Sequence, residues 1–326
     1  MVTIADSSGK ELRALRYKEY DFEIGNETSD FMISQLIPDW QDIPDNARIY
    51  IPNTEYGGIY KRLETDTKVG TISVGGYTWR GMMRNKIISP PPGEDYATDM
   101  GDINTIIDRR VREAFSGLFV GGAPCGVSVR GEFQYNRYCT LYDGLTKMLA
   151  SVGYKMDIRY NVRLKRVVVT AVPIIDHSER IEFSSDVSAH YYMLADKAGV
   201  NHLICLGNGE LRNRIVVHLY ADAKGRISQN QTFFGSDEIA QIYDYAGADR
   251  LQLIESGTQQ LETLLATNQF SLDVEGMTLE IGDIVGGKDY VSGTTMKASI
   301  VGKIHKSADG VETTEYTISD NVEVTD

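Results

Sequence analysis

The chain has 326 residues, 42% of them hydrophobic and 24% charged, enough for roughly two domains with real cores at ~100 to 200 residues each. No run approaches the ~18 consecutive apolar residues of a membrane span. With 46 Asp and Glu against 33 Lys and Arg, the net charge is −13, so the molecule as a whole repels phosphate backbones and non-specific nucleic-acid wrapping is not expected.

The first ninety residues are expected to form mainly short strands between turns. Residues 20–24 (Tyr-Asp-Phe-Glu-Ile) alternate, residues 48–51 are rich in β-formers, and residues 71–74 (Thr-Ile-Ser-Val) run into Gly75-Gly76, a turn or bulge before residues 77–80. Gly57-Gly58 separates two aromatic-rich segments, and residues 30–36, with Phe31, Ile33 and Leu36 ahead of Pro38, fit either a strand or a single helical turn. Pro90, Pro91 and Pro92 remove successive ladder donors and stiffen the chain as polyproline II, which places a module boundary there.

Beyond it, Ile103, Ile106, Ile107, Arg110, Val111, Ala114, Phe115 and Leu118 recur at helical spacing behind Asp102, a candidate cap. A second helix is expected over 140–152, with Thr140 as cap, Leu141, Leu145, Met148 and Leu149 on one face, and Gly153 as stop. It feeds a β-hairpin made of residues 154–160 and 163–172, an α+β arrangement. Strands follow at 181–183, 202–206 and 214–220, with turns at Gly207-Asn208-Gly209 and Ala223-Lys224-Gly225. Ser236-Asp237-Glu238 opens an expected short helix to about Tyr245. Asp249 caps a longer one in which Leu251, Ile254, Leu261, Leu264 and Leu265 recur, with Gly257 as a weak point. From Phe270 the pattern is a β-meander: residues 277–281, Gly282-Asp283, Val285-Gly286-Gly287, then 296–304 and 312–318 joined through Asp309-Gly310.

The first residues, Met-Val-Thr-Ile-Ala-Asp, lack the basic and apolar regions of a secretory signal, so synthesis in a cytoplasm is expected. Cys125, Cys139 and Cys205 are too few and too scattered for a disulfide framework and are read as reduced core thiols. The 19 tyrosines suit exposed sheet faces and protein interfaces equally well.

Motifs that carry chemistry fail one after another. Gly207-Asn-Gly-Glu-Leu-Arg212 begins like a dinucleotide fingerprint, but Arg212 stands at the third glycine position, so no cofactor is expected. Ser128 is followed two residues on by Arg130, where a nucleophile elbow needs glycine. His202 and Cys205 on one strand point to opposite faces and cannot share a metal without a bend. Asp283, just after a glycine, reads as a turn-capping carboxylate rather than a catalytic acid. No catalytic, cofactor or metal residue is nominated, and an enzyme is not expected. One strip runs against the acidic whole: Lys155, Arg159, Arg163, Lys165 and Arg166, opposed only by Asp157, line the hairpin. It is either a solvated ribbon or a patch that docks to an acidic neighbour.

Residues 69–92 contain Gly-Tyr-Thr-Trp-Arg-Gly and Arg-Asn-Lys-Ile-Ile-Ser-Pro-Pro. This run resembles the strand, G-x-x-W-x-G turn and R-x-x-I-I-x-P-P exit of siphophage tail-tip hub proteins of the ReqiPepy-type family. Residues 201–220 are similar to the same family's N-x-x-x-x-x-G-x-G-E-L-x-x-R segment, and Ile281-Gly-Asp-Ile-Val285 to a short I-G-D-I-V ending. None of these segments is catalytic.

The resemblance implies a mainly β, α+β hub similar to the central hub of myophage baseplates, with two small tube-like β-barrel modules per subunit and α+β and helical insertions. The modules are expected at 1–92 and at 174–235 with 270–326, the α+β insertion at 93–173 and the helical insertion at 236–269. A homotrimer would mimic a six-fold ring and adapt a hexameric tail tube to the tip of the virion, passing DNA without binding it specifically. Distal tail protein, tape-measure protein and other tail-tip or fibre proteins are the implied partners. Because the chain stops at Asp326, soon after the last strand, any lysin or receptor binder is expected to be a separate protein. The alternatives are an envelope-directed enzyme or carbohydrate-binding tail protein, and the hub of a contractile bacteriocin.

Overall fold

The computed structural model describes the chain except residues 26–28, 179–188, 195–198, 224, 266–268, 275–277, 289–294, 309, 320–322 and 326. Backbone pairing dominates, as expected for a mainly β chain with α+β insertions. Two units emerge: one of Met1–Ile181, Asp273–Val285 and Ser299–Ser319, the other of Glu182–Leu272, Gly286–Ala298 and Asp320–Asp326. No helix among the described residues is long and apolar enough to cross a membrane.

In the first unit, Asp30–Leu36 is a strand, the reading that sequence left open. It pairs antiparallel with Glu19–Ile24 on one edge and with Thr71–Tyr77 on the other. Its alternation places Phe31 and Ile33 inward, and Phe31 stacks on Phe22 with ring centroids 5.5 Å apart. Arg62–Asp66 extends this sheet beyond Thr71–Tyr77, and residues 303–308 of the strand Thr295–Ala308 extend it beyond Glu19–Ile24. A second sheet orders Glu11–Ala14, Thr3–Ala5, Arg48–Tyr50 and Gly57–Ile59. Val2, Ile4, Tyr20, Phe22, Phe31, Ile33, Ile49 and Val74 form one core cluster. Between these sheets the described link is a single backbone bridge from Gly58 to Thr78. The chain turns into a helix at Thr78, so a ladder cannot continue, and among the described residues no closed barrel forms.

That helix corrects the extended piece expected over 77–80. Helix α1 (Trp79–Arg84) starts at Thr78, whose hydroxyl accepts the N–H of Gly81. Trp79 and Met83 then reach the core. Gly75 and Gly76 make neither turn nor bulge; they pair within the strand, opposite Met32 and Phe31, and only glycine fits there, because a Cβ at Gly75 would lie 2.7 Å from the Phe31 carbonyl oxygen and one at Gly76 would strike that of Ile59.

Helix α2 (Ile103–Phe115) is capped by Asp102, which accepts the N–H groups of Asn104 and Thr105, and α3 (Leu141–Ala150) by Thr140, which accepts that of Asp143. Both pack with the hairpin Tyr154–Asn161 and Arg166–Pro173, to which Phe119–Gly121 adds a parallel edge. The return strand begins at Arg166 rather than 163, because residues 162–165 form the turn, with Lys165 at φ +54°. Near the end of the unit, residues 278–280 form no strand where one was expected, and a turn at Ile281 and Gly282 follows. The Asp283 N–H donates to the Glu280 carbonyl, its carboxylate accepts from the Glu280 N–H, and the Leu279 N–H donates to the Tyr316 hydroxyl. The expected strand at 181–183, and Lys224, Met277 and Asp309 of the expected turns and strands, lie outside the described residues.

In the second unit, Ile227–Ser228, Val216–Ala221, His202–Leu206 and Ala240–Asp244 form a four-stranded sheet. The short helix expected from Ser236 to Tyr245 is a correction. Only a 3-10 turn, Gly235–Asp237, forms, and Ala240–Asp244 pairs parallel with His202–Leu206 along its length. A ladder of backbone hydrogen bonds outweighs the weak helix signal of an acidic start. Helix α4 (Arg250–Leu264), capped by Asp249 in a capping box with Gln252, covers one face of this sheet. Its buried residues are Leu253, Gly257 and Leu261, whereas Leu251, expected on the apolar face, is exposed.

Gly257 is a contact point rather than a weak point. A Cβ there would lie 2.6 Å from Cys205 Sγ and 2.9 Å from Leu219 Cδ1. Gly257→Ala is therefore expected to destabilise by about 1–3 kcal/mol through overpacking, although alanine in an open helix position would gain about 1 kcal/mol. Urea unfolding of Gly257→Ala alone and with Cys205→Ala checks this: the double variant should recover part of the loss.

Candidate functional site

The basic hairpin is built on α3, whose stop at Gly153 (φ +78°) turns the chain into the strand Tyr154–Asn161. Alternation sends Met156, Ile158 and Tyr160 to the core and Lys155, Asp157 and Arg159 to the other face. At the tip the Asn161 side chain accepts the Leu164 N–H at 2.9 Å. Arg48, itself buried, donates to the carbonyls of Lys165 and Ser7, which holds the tip against the amino-terminal loop.

The structure does not leave all five nominated cations at the surface. Lys155 is 8% exposed, and its ammonium lies 2.6 Å from the Asp283 carboxylate. Arg159 is exposed and bonded to Asp157 beside it at 2.9 Å. Arg163, Lys165 and Arg166 are exposed and, among the described residues, in no ion pair. The free positive charge is thus concentrated at the tip.

Asp283 caps a turn, as its sequence position suggested, and does more. Besides Lys155, it accepts the Ile175 N–H at 2.9 Å and has His177 Nε2 at 3.6 Å. Cys205 and His202 face opposite sides of their strand, as expected: Cys205 lies under α4, and His202 faces His218. Of the cysteines read as core thiols, Cys125 is exposed, because it sits in a loop whose backbone N–H bonds to Asp102 at 2.9 Å. Among the described residues, no group of three or more His, Cys, Asp or Glu is placed to hold a metal.

Sequence reasoning missed a buried charged cluster of the first unit. Glu55, 8% exposed, accepts from Arg80 Nε at 2.8 Å, and Lys303 Nζ lies 2.8 Å from its other oxygen. Arg80 also donates to the Met156 carbonyl at 3.1 Å, and Lys303 pairs with Glu280 and sits 5.3 Å from the centre of the Tyr56 ring. Burial by itself would push the Glu55 carboxyl up, but the two cations and their hydrogen bonds outweigh it and hold it down at about 2. The Lys303 ammonium and the Arg80 guanidinium are correspondingly held charged: burial acts against each, and the Glu55 charge prevails. The only sequence signal for this cluster was Arg80, inside the Gly-Tyr-Thr-Trp-Arg-Gly turn.

The sequence matches no protein-family model and no curated protein. In three dimensions the chain is similar to the 43 kDa tail protein of prophage MuSo2 from Shewanella oneidensis, with a TM-score of 0.52 and 12% identity over 98% of each chain. Also similar are the tail protein from Neisseria meningitidis MC58, with a TM-score of 0.47 and 13% identity over 98% of this chain and 96% of that one, and prophage tail protein gp18 from Listeria monocytogenes EGD-e, with a TM-score of 0.46 and 12% identity over 98% and 94%. The first likeness shows a fold shared along the whole chain.

Glu55→Gln keeps the shape of the side chain but leaves Arg80 and Lys303 facing each other without their carboxylate. Chemical denaturation at neutral pH should show a loss of about 3–5 kcal/mol. The sign with pH follows from a folded value of about 2 against 4.5 for the free carboxyl. The stabilisation is complete above the unfolded value and is lost as pH falls through the folded one. Acid titration of stability should therefore fall less steeply over that interval in Glu55→Gln than in the native chain.

Proposed function

We propose that this protein is a structural hub of a phage tail tip: a homotrimeric ring that joins a hexameric tail tube to the tip machinery and lets DNA pass. The observation that carries this reading is the fold shared end to end with a prophage tail protein. The two sequence segments at 69–92 and 201–220 support it, because their glycines are what the fold uses: Gly76 where strands approach closely, and Gly209 at φ +102° in the turn after His202–Leu206. The role is mechanical rather than enzymatic, and distal tail, tape-measure and fibre proteins are its natural neighbours.

Electrostatics fits the task. A trimer carries three times the net charge of −13, and an acidic or neutral channel wall lets a polyanion slide, whereas repeated cations would hold it by counterion release. The basic tip formed by Arg163, Lys165 and Arg166, with Arg159 behind it, belongs outside such a channel, as a patch for an acidic neighbour in the tail. Lys155 serves the interior and takes no part in docking.

Mass photometry of the purified protein and negative-stain images of assembled particles should show a three-fold ring. A persistent monomer within particles, or a closed hexamer of this chain, overturns the hub reading. Arg163→Glu with Arg166→Glu should leave thermal stability within about 0.5 kcal/mol of the native chain, since both side chains are exposed, and leave the trimer intact while a neighbouring tail protein fails to attach. Normal particle assembly by that variant overturns the docking assignment.

A further inference from the structure

We infer that His202 and His218 form a binding site for one divalent transition-metal ion of the zinc, nickel or copper class. The register brings them together: His202 lies opposite Tyr220 and Ile204 opposite His218, so the two histidines are diagonal neighbours on one face of the sheet in the second unit. That face is the reverse of the one on which Leu203, Cys205, Val217 and Leu219 form the core with α4. His202 Nε2 and His218 Nδ1 face each other at 2.8 Å. Two imidazole nitrogens on one zinc ion, each at about 2.0–2.1 Å, stand about 2.9 Å apart at a right angle and about 3.3 Å apart in a tetrahedron. The ion cannot sit on the line between nitrogens 2.8 Å apart, so on binding the exposed His218 ring swings aside until both lone pairs point at the ion, and the proton on its Nδ1 moves to its Nε2 through solvent, leaving both imidazoles neutral.

Two further contacts prepare the site. The other nitrogen of His202, Nδ1, pairs with Glu238. With its proton held there, Nε2 presents a lone pair, and the carboxylate orients the ring, the usual outer-shell partner of a metal-bound histidine. The Tyr220 ring stacks on His202 with centroids 4.3 Å apart and fixes its plane. His202 is buried while His218 is exposed, so the site opens to water on one side. Among the described residues no third His, Cys, Asp or Glu completes a cage, which leaves the other coordination positions to water. Nitrogen donors select transition metals over magnesium and calcium.

Titration calorimetry of the untagged full chain with zinc chloride or nickel chloride at neutral pH should show one ion bound per chain, with loss of affinity in mildly acidic buffer, where protons compete for the imidazole nitrogens. His218→Ala, at an exposed position, should weaken binding at least 10-fold, and Glu238→Gln by about 10–100-fold. His305→Ala, in the first unit, should change nothing. Absence of saturable binding, or binding that His218→Ala leaves intact, overturns the site and leaves a histidine pair joined by a proton alone.

Discussion

Glu55 is shut away from water between two cations, and the arrangement of the first unit depends on that. The three partners come from distant stretches: a turn after Arg48–Tyr50, helix α1, and the strand Thr295–Ala308 near the end of the chain. Desolvating each of these charges costs several kcal/mol, and only close pairing with further partners offsets it. Those partners are present: the Met156 carbonyl and Tyr142 hydroxyl for Arg80, Glu280 and the Tyr56 ring for Lys303. Such a network adds little net stability over an apolar core of the same shape. What it adds is intolerance of error, because any misplacement of one segment leaves a buried charge unpaired.

The same logic repeats nearby with Lys155 and Asp283, which join the hairpin to the segment Asp273–Val285. An element that sequence marks as a basic ribbon is thereby divided by physics into two parts. Its base is neutralised and fixed inside the unit, while its tip, braced through Arg48 and the Lys165 carbonyl, keeps its charge in solvent. A rigid mount and a free charged tip suit a docking element, since complementary charge guides association and a braced tip has little conformational freedom left to lose.

Glycine sets how closely the layers approach. Gly76 lets two strands of the first unit cross near the Ile59 carbonyl, and Gly257 lets α4 settle on Cys205. At both places a methyl group would hold the elements apart, so the tightest packing is found where side chains are missing.

What the sequence by itself determined were the features governed by neighbours along the chain: the apolar period of α2 and α3 with their Asp102 and Thr140 caps, the capping of α4 by Asp249, the hairpin after Gly153, and the opposed faces of His202 and Cys205. Each depends on residues within a few positions of one another, so its physics is local. Tertiary structure decided the rest. Residues 240–244 became a strand because a partner lay alongside them, residues 79–84 a helix because Trp79 and Met83 had a core to enter, and Leu251 faced solvent because Leu253, Gly257 and Leu261 form the face that meets the sheet. The charged centre Glu55–Arg80–Lys303 and the histidine pair were illegible for the same reason. Spacing along the chain says nothing about which side chains meet across strands, and it is that meeting which turns ordinary charged residues into a buried network and two scattered histidines into one site.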